Sequence, residues 1–99
     1  MAIVIETIRF KLLPEIDHSD FLRRDRKVHD GYMALRPGFR SREVSRSEDG
    51  EYLVIVHWDS AEDAEATISA FFGAPETQDF IAAVDVSTVS SGRYEVVRA

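Results

Sequence analysis

The chain contains no cysteine, which excludes disulfides, thiolate metal sites and cysteine nucleophiles. It also lacks an excess of basic charge. Twelve Lys and Arg stand against 18 Asp and Glu, for a net charge of −6, and a phosphate backbone is bound mainly through clustered cations. Nucleic acid is therefore not expected as a partner. Arg23, Arg24 and Arg26 do gather, but Asp20, Asp25 and Asp30 are interspersed among them, the pattern of a solvated helix face with local ion pairs. There is no Gly-rich phosphate loop, no Ser-His-Asp order and no zinc or di-iron spacing. His18 and His29 would be roughly 16 Å apart on a helix rising about 1.5 Å per residue, too far to share a metal ion. No cofactor and no metal are expected. The first ten residues include Glu6 and Arg9, so this stretch reads neither as a signal peptide nor as a membrane span. A cytoplasmic protein without a membrane partner is the expectation.

The 99 residues suit a single domain, 1–99, with one core. Small cores are marginal, and with 44% hydrophobic residues there is apolar surface to cover. A second copy of the chain is a natural way to cover it.

The stretch Glu51 to Phe72 organises the rest. Tyr52 to Trp58 is a nearly unbroken apolar run rich in β-branched and aromatic residues, as in an interior strand covered on both faces. Its alternation sets Val54, Val56 and Trp58 towards one layer and Leu53, Ile55 and His57 towards the other. Ser60, three residues before Asp63, predicts a capped helix start. Ala61, Ala64, Ile68, Phe71 and Phe72 then recur at helical spacing, with Glu62, Glu65 and Ser69 turned to water.

Before this stretch, Ala2 to Leu13 alternates as a strand that Pro14 ends, with Val4, Ile8, Phe10 and Leu12 on one face. Ser19 or Asp20 can cap a helix running to about Leu35, stopped by Pro37-Gly38. Phe21, Val28, Tyr32 and Leu35 form its buried stripe, with Asp25 inside it. Phe39 to Arg46 reads as a charged edge strand, and Ser47-Glu48-Asp49-Gly50 as a hairpin turn. After Phe72, Gly73 can close the helix and Pro75 can open a short one through Thr77, Phe80, Ile81 and Val84. Val86 to Val97 completes the chain as a strand with a bulge expected near Ser90-Ser91-Gly92.

The order is βαββαβ with a tight central hairpin, the ferredoxin-like α+β pattern: one antiparallel sheet with helices on one face. The other face then needs cover, and two subunits packed sheet to sheet as a homodimer would supply it.

The order of elements, the Pro37-Gly38-Phe39 lead into the second strand, Val56-His57-Trp58-Asp59-Ser60 before an Ala- and Glu-rich helix, and the Pro75 to Phe80 segment together resemble the dimeric α+β barrel proteins of the antibiotic-biosynthesis-monooxygenase-like group. The resemblance covers nearly the whole chain. It implies a pocket between sheet and helices and, in the best-understood members, cofactor-free oxygenation of an aromatic polyketide. Those enzymes use a tryptophan matching Trp58 and an asparagine matching about Val54. Haem-degrading relatives use an asparagine on the first strand and a histidine on the second helix. This chain has no asparagine, offers Glu6 and Thr7 on the first strand, and has no histidine from Ala61 to Phe72.

Four residues are the candidate catalytic set. Trp58 can line a pocket or simply fill the core. Asp25, His29 and Tyr32 follow at i, i+4 and i+7, an arrangement in which a carboxylate orients an imidazole base and a phenol stabilises an oxyanion. The plainer alternative pairs Asp25 with Arg24 or an arginine of the second strand and leaves Tyr32 to pack. His57 points away from Trp58, towards the subunit interface. The leading functional reading is a cofactor-independent monooxygenase-like or isomerase-like enzyme acting on a small aromatic or enolic molecule. The alternative is a non-catalytic small-molecule-binding or accessory protein on the same fold.

Overall fold

A computed structural model of the chain describes residues 2–99. The elements run β1 (Val4–Leu12), α1 (His18–Gly31), β2 (Phe39–Arg46), β3 (Tyr52–Trp58), α2 (Ala61–Phe71), α3 (Gln78–Ile81) and β4 (Val84–Glu95), with 3-10 turns at Met33–Leu35 and Pro75–Thr77. The strands form one antiparallel sheet in the order β2-β3-β1-β4. This is the ferredoxin-like α+β arrangement, with β3 in the interior as its apolar run requires. No described helix is long and apolar enough to cross a membrane.

One face of the sheet carries the core. Tyr52, Val54, Val56 and Trp58 alternate inward on β3, opposite Phe10, Ile8, Glu6 and Val4 of β1. Phe21 and Val28 of α1 and Ala64 of α2 close over them. Phe10 is the centre of an aromatic cluster, edge-on to Phe21 and Phe80 at 5.7 Å each and stacked on Tyr52 at 5.9 Å. Aromatic contacts of this kind add about 0.5–1.5 kcal/mol beyond their buried area.

Two turns fix the geometry around Trp58. Gly50 closes the β2–β3 hairpin at φ +88°, with Ser47 and Glu51 joined across it. Gly38 has φ +80°, and a Cβ there would lie 2.1 Å from Oδ2 of Asp63, so only glycine admits the N-terminus of α2 this close. Ser60 caps α2 as its spacing predicts: Oγ accepts from the Asp63 amide at 3.1 Å and donates to the Asp63 carboxylate at 2.9 Å.

Several local details differ from the sequence reading. The cap of α1 is Asp17, in place of Ser19 or Asp20; its carboxylate accepts from the Asp20 amide at 2.8 Å. The helix ends at Gly31 and tightens into a 3-10 turn. That change of phase buries Met33 and leaves Leu35 73% exposed, outside the stripe assigned to it. On α2 the buried positions are Ala64 and Thr67, whereas Ala61 and Phe72 face outward. Thr67 is admitted to the core because its hydroxyl donates to the Asp63 carbonyl at 3.0 Å, leaving its methyl to pack.

Gly73 does not close α2 in a left-handed conformation, since among the described residues only Gly38 and Gly50 have positive φ. The last carbonyls are satisfied instead by side chains: Thr77 Oγ1 donates to Phe71 and Ala74, and Gln78 Nε2 to Phe72 and Ala74. In β4 the irregularity precedes Ser90-Ser91-Gly92. Ser90 pairs with Arg9 and Asp85 with Lys11, so residues 86–89 bulge out. The Asp85 carboxylate holds the Ser87 amide at 3.1 Å, and the Lys11 amide donates to Thr88 Oγ1 at 2.9 Å, which draws the chain into that bulge.

Candidate functional site

Trp58 ends β3 on the helix-covered face and is fully buried. Its indole stands edge-on to Phe39 at 5.9 Å, and its Nε1–H has no hydrogen-bond acceptor among the described residues. A buried donor left unpaired costs about 1–3 kcal/mol, so this atom is one feature of the core that packing alone does not explain.

The helical trio does not converge on Trp58 around one cavity. Arg42 of β2 donates to both oxygens of Asp25, at 2.5 and 3.2 Å. The pairing with an arginine of the second strand is thus the one that forms. His29 makes no hydrogen bond to Asp25 among the described residues and rests edge-on to Phe39 at 5.8 Å. Asp25 and His29 border a surface groove of about 580 Å³ together with Leu22, Arg26 and Arg42. Tyr32 lies beyond the end of α1, and the chain turns there at φ −137° and ψ −64°. Its hydroxyl donates to the Thr67 carbonyl at 3.0 Å, and it borders a different cleft of about 420 Å³ with Leu35, Arg36 and Ala70. Trp58 lines neither. The i, i+4, i+7 spacing assumes a helix through Tyr32, which Gly31 ends one residue too early.

The structure adds Glu6, which sequence reasoning did not assign to a site. Glu6 points inward from β1 and is 8% exposed. Arg93 of β4 donates to its Oε2 from Nε and Nη2, at 3.2 Å each, and Oε1 is buried without a partner among the described residues. Nη2 of Arg93 also reaches Glu65 of α2 at 2.9 Å. Glu6 opposes Val56 and Val4 opposes Trp58, so Glu6 and Trp58 are diagonal neighbours on one face, with backbones about 7–8 Å apart. The signal was present in the alternation: an acid between Val4 and Ile8 on the apolar face of the first strand.

Burial holds the Glu6 carboxyl above its ordinary value of 4.5, with the charge and hydrogen bonds of Arg93 pulling it down by less. Arg93 is held above the usual guanidinium range, chiefly by its hydrogen bond to Glu65. For a carboxyl raised on folding, the native state binds more protons from the ordinary value up to the raised one, so stability falls as pH rises through that window. Glu6→Gln is therefore expected to raise Tm by a few degrees at pH 7, a gain that shrinks as pH falls through that window and is gone below 4.5. Thermal unfolding at several pH values measures it. A Tm lowered at pH 7 would show that the Arg93 pairing outweighs the cost of burial.

On the opposite face, His57 is half-buried and its Nδ1 lacks a partner among the described residues. His18 meets the Tyr52 hydroxyl at 2.7 Å, a contact that ties the start of α1 to the aromatic cluster.

No protein-family model matches the chain, and no curated protein does. Solved structures do share its fold. One is SnoaB, a cofactor-independent oxygenase from Streptomyces nogalater, with TM-score 0.79 and 17% identity over 100% of this chain and 97% of that one. An inferred antibiotic biosynthesis monooxygenase from Bordetella bronchiseptica has TM-score 0.81 and 11% identity, over 99% and 100%. Rv0793 from Mycobacterium tuberculosis has TM-score 0.70 and 17% identity, over 98% and 97%. At these identities the likeness is one of architecture: the chain has the ferredoxin-like α+β fold found in SnoaB and the antibiotic-biosynthesis-monooxygenase proteins.

Proposed function

We propose that the protein binds a small aromatic or enolic molecule between its sheet and α2, and oxygenates or isomerises it without a cofactor. The observation that carries this reading is the Nε1–H of Trp58, buried in an apolar layer with no acceptor. Such a donor stabilises an enolate or phenolate oxygen far more than water does, because it is already oriented and faces little competing solvent. The fold shared with SnoaB, a cofactor-independent oxygenase, supports the reaction class. Asp25 and Tyr32 contribute by holding the walls: the Asp25–Arg42 pair ties α1 to β2, and the Tyr32 hydroxyl ties the end of α1 to α2.

Oxygen consumption in the presence of a panel of anthrones and phenols tests this, with uptake expected to fall at least ~10-fold in Trp58→Phe. A second reading is binding without turnover. It is favoured by the full engagement of the Asp25 carboxylate and the Tyr32 hydroxyl, and saturable binding with no oxygen uptake and no isomerised product would select it.

We further propose a homodimer formed through the uncovered face of the sheet. Ile5 lies between His57 and Tyr94 in register across three strands. Leu53 and Ile55 continue this apolar surface, and Tyr94 is 61% exposed on it. Burying such a face contributes ~25 cal/mol per Å² towards association. Light scattering should give about twice the chain mass of 11.2 kDa; the single-chain mass at every concentration would discard the dimer.

A further inference from the structure

We propose that Glu6 is the general base that takes the acidic proton of the molecule held at Trp58, and that Arg93 is the residue that positions it. This rests on the site reading above and adds a residue and a proton path to it. Three observations converge on Glu6. It lies on the helix-covered face one diagonal step from Trp58. Its Oε1 is buried and has no partner among the described residues, while Oε2 is held by Arg93. Arg93 is anchored in turn by Glu65 of α2, through the Nη2 that also meets Glu6, so the carboxylate is fixed with one lone-pair-bearing oxygen left for a ligand.

The other acids near this layer are unsuited. Both oxygens of Asp25 are occupied by Arg42, and Glu65 has a side chain 63% exposed. The charged groups that meet Glu6 are Arg93 from β4 and Glu65, through that arginine, from α2. Burial makes Glu6 a stronger base than a carboxylate in water, which narrows its gap to an enol or to an acidic methylene beside a carbonyl.

The step balances without a co-reactant. The substrate C–H or O–H bond breaks, its electron pair stays on the substrate as an enolate or phenolate, and the proton forms an O–H bond at Oε1 of Glu6. The negative charge passes from carboxylate to substrate, where the Trp58 indole donates to the new oxyanion.

The test uses 1,8-dihydroxy-9-anthrone without oxygen, read two ways. Trp58 is the only tryptophan, so quenching of its emission reports binding at the site itself. The absorbance of the bound compound reports whether it is ketone or enolate. The native protein is expected to bind it as the enolate at a pH where the free compound is the ketone. Glu6→Gln should quench with affinity within about threefold of native while the rate at which the enolate absorbance appears after mixing drops ~100-fold, in the range set by loss of a positioned base. Arg93→Gln should move the ionisation midpoint to higher pH, because the charge that lowers the carboxyl is gone. An unchanged rate of enolate formation in Glu6→Gln overturns the assignment of the base and leaves the binding site standing. No quenching of the native protein overturns the site reading and the base with it.

Discussion

Arg42→Ala is expected to destabilise the folded chain by about 3–5 kcal/mol, because it leaves the Asp25 carboxylate buried without its counter-ion. The two side chains are only 4% and 12% exposed, and the arginine binds in a forked geometry that uses both carboxylate oxygens. A chain of this size has a total stability of about 5–15 kcal/mol, so the loss removes a large share of it. Replacing both partners together, as Asp25→Leu with Arg42→Met, should restore most of the loss, since no charge is then left unpaired. Denaturant midpoints at constant slope measure both variants. A loss below about 1 kcal/mol for Arg42→Ala would show that solvent from the adjoining groove reaches the carboxylate and that the pair behaves like a surface one.

Trp58 gives the second large effect, and it separates packing from function. Trp58→Ala should cost about 3–5 kcal/mol by opening a cavity beside Phe39. Trp58→Phe keeps an aromatic ring in place and removes the N–H that has no acceptor. It should stay within about 1 kcal/mol of native, as relief of the unpaired donor offsets the smaller ring. Ligand affinity should nevertheless fall ~10- to 150-fold, the equivalent of about 1.5–3 kcal/mol for a hydrogen bond to a charged oxygen. Unfolding followed by circular dichroism reads the stability arm, since no tryptophan remains to fluoresce. A Phe variant that binds native-like would remove the indole N–H from the site.

The strands and their order were legible because their signals are short-range and redundant. β3 declares itself by composition, the hairpin by Asp49-Gly50, and the start of α2 by Ser60 and Asp63. What escaped depends on choices among near-equal local options. Asp17, Ser19 and Asp20 can all cap α1, and only the closed geometry selects Asp17. Residues 86–89 bulge because the Asp85 and Thr88 side chains bond the backbone, a competition that strand propensity does not register.

The partner of Asp25 shows the same limit. Three arginines lie on the second strand, at positions 40, 42 and 46. A register shift at Arg40 lets Phe39 and Arg42 both face inward, opposite Trp58 and Val56, and a strict alternation would have turned one of them out. Glu6 was legible as a pattern violation and illegible as a site. Its importance lies in Arg93, 87 residues away in sequence, and in an oxygen left free.

The end of α2 has a dynamic consequence. Its terminal carbonyls are satisfied by Thr77 and Gln78, so the helix end and the segment from Pro75 to Ile81 share their hydrogen bonds. Neither can open without exposing the other's polar groups, and the two should protect their amides as one cooperative unit in hydrogen exchange. The start of α2 is held separately, by Ser60, Gly38 and the Glu65–Arg93 pair. The helix is thus pinned at both ends by unlike devices. The one over Glu6 is ionic, and rising salt should loosen it while the distal clip stays shut.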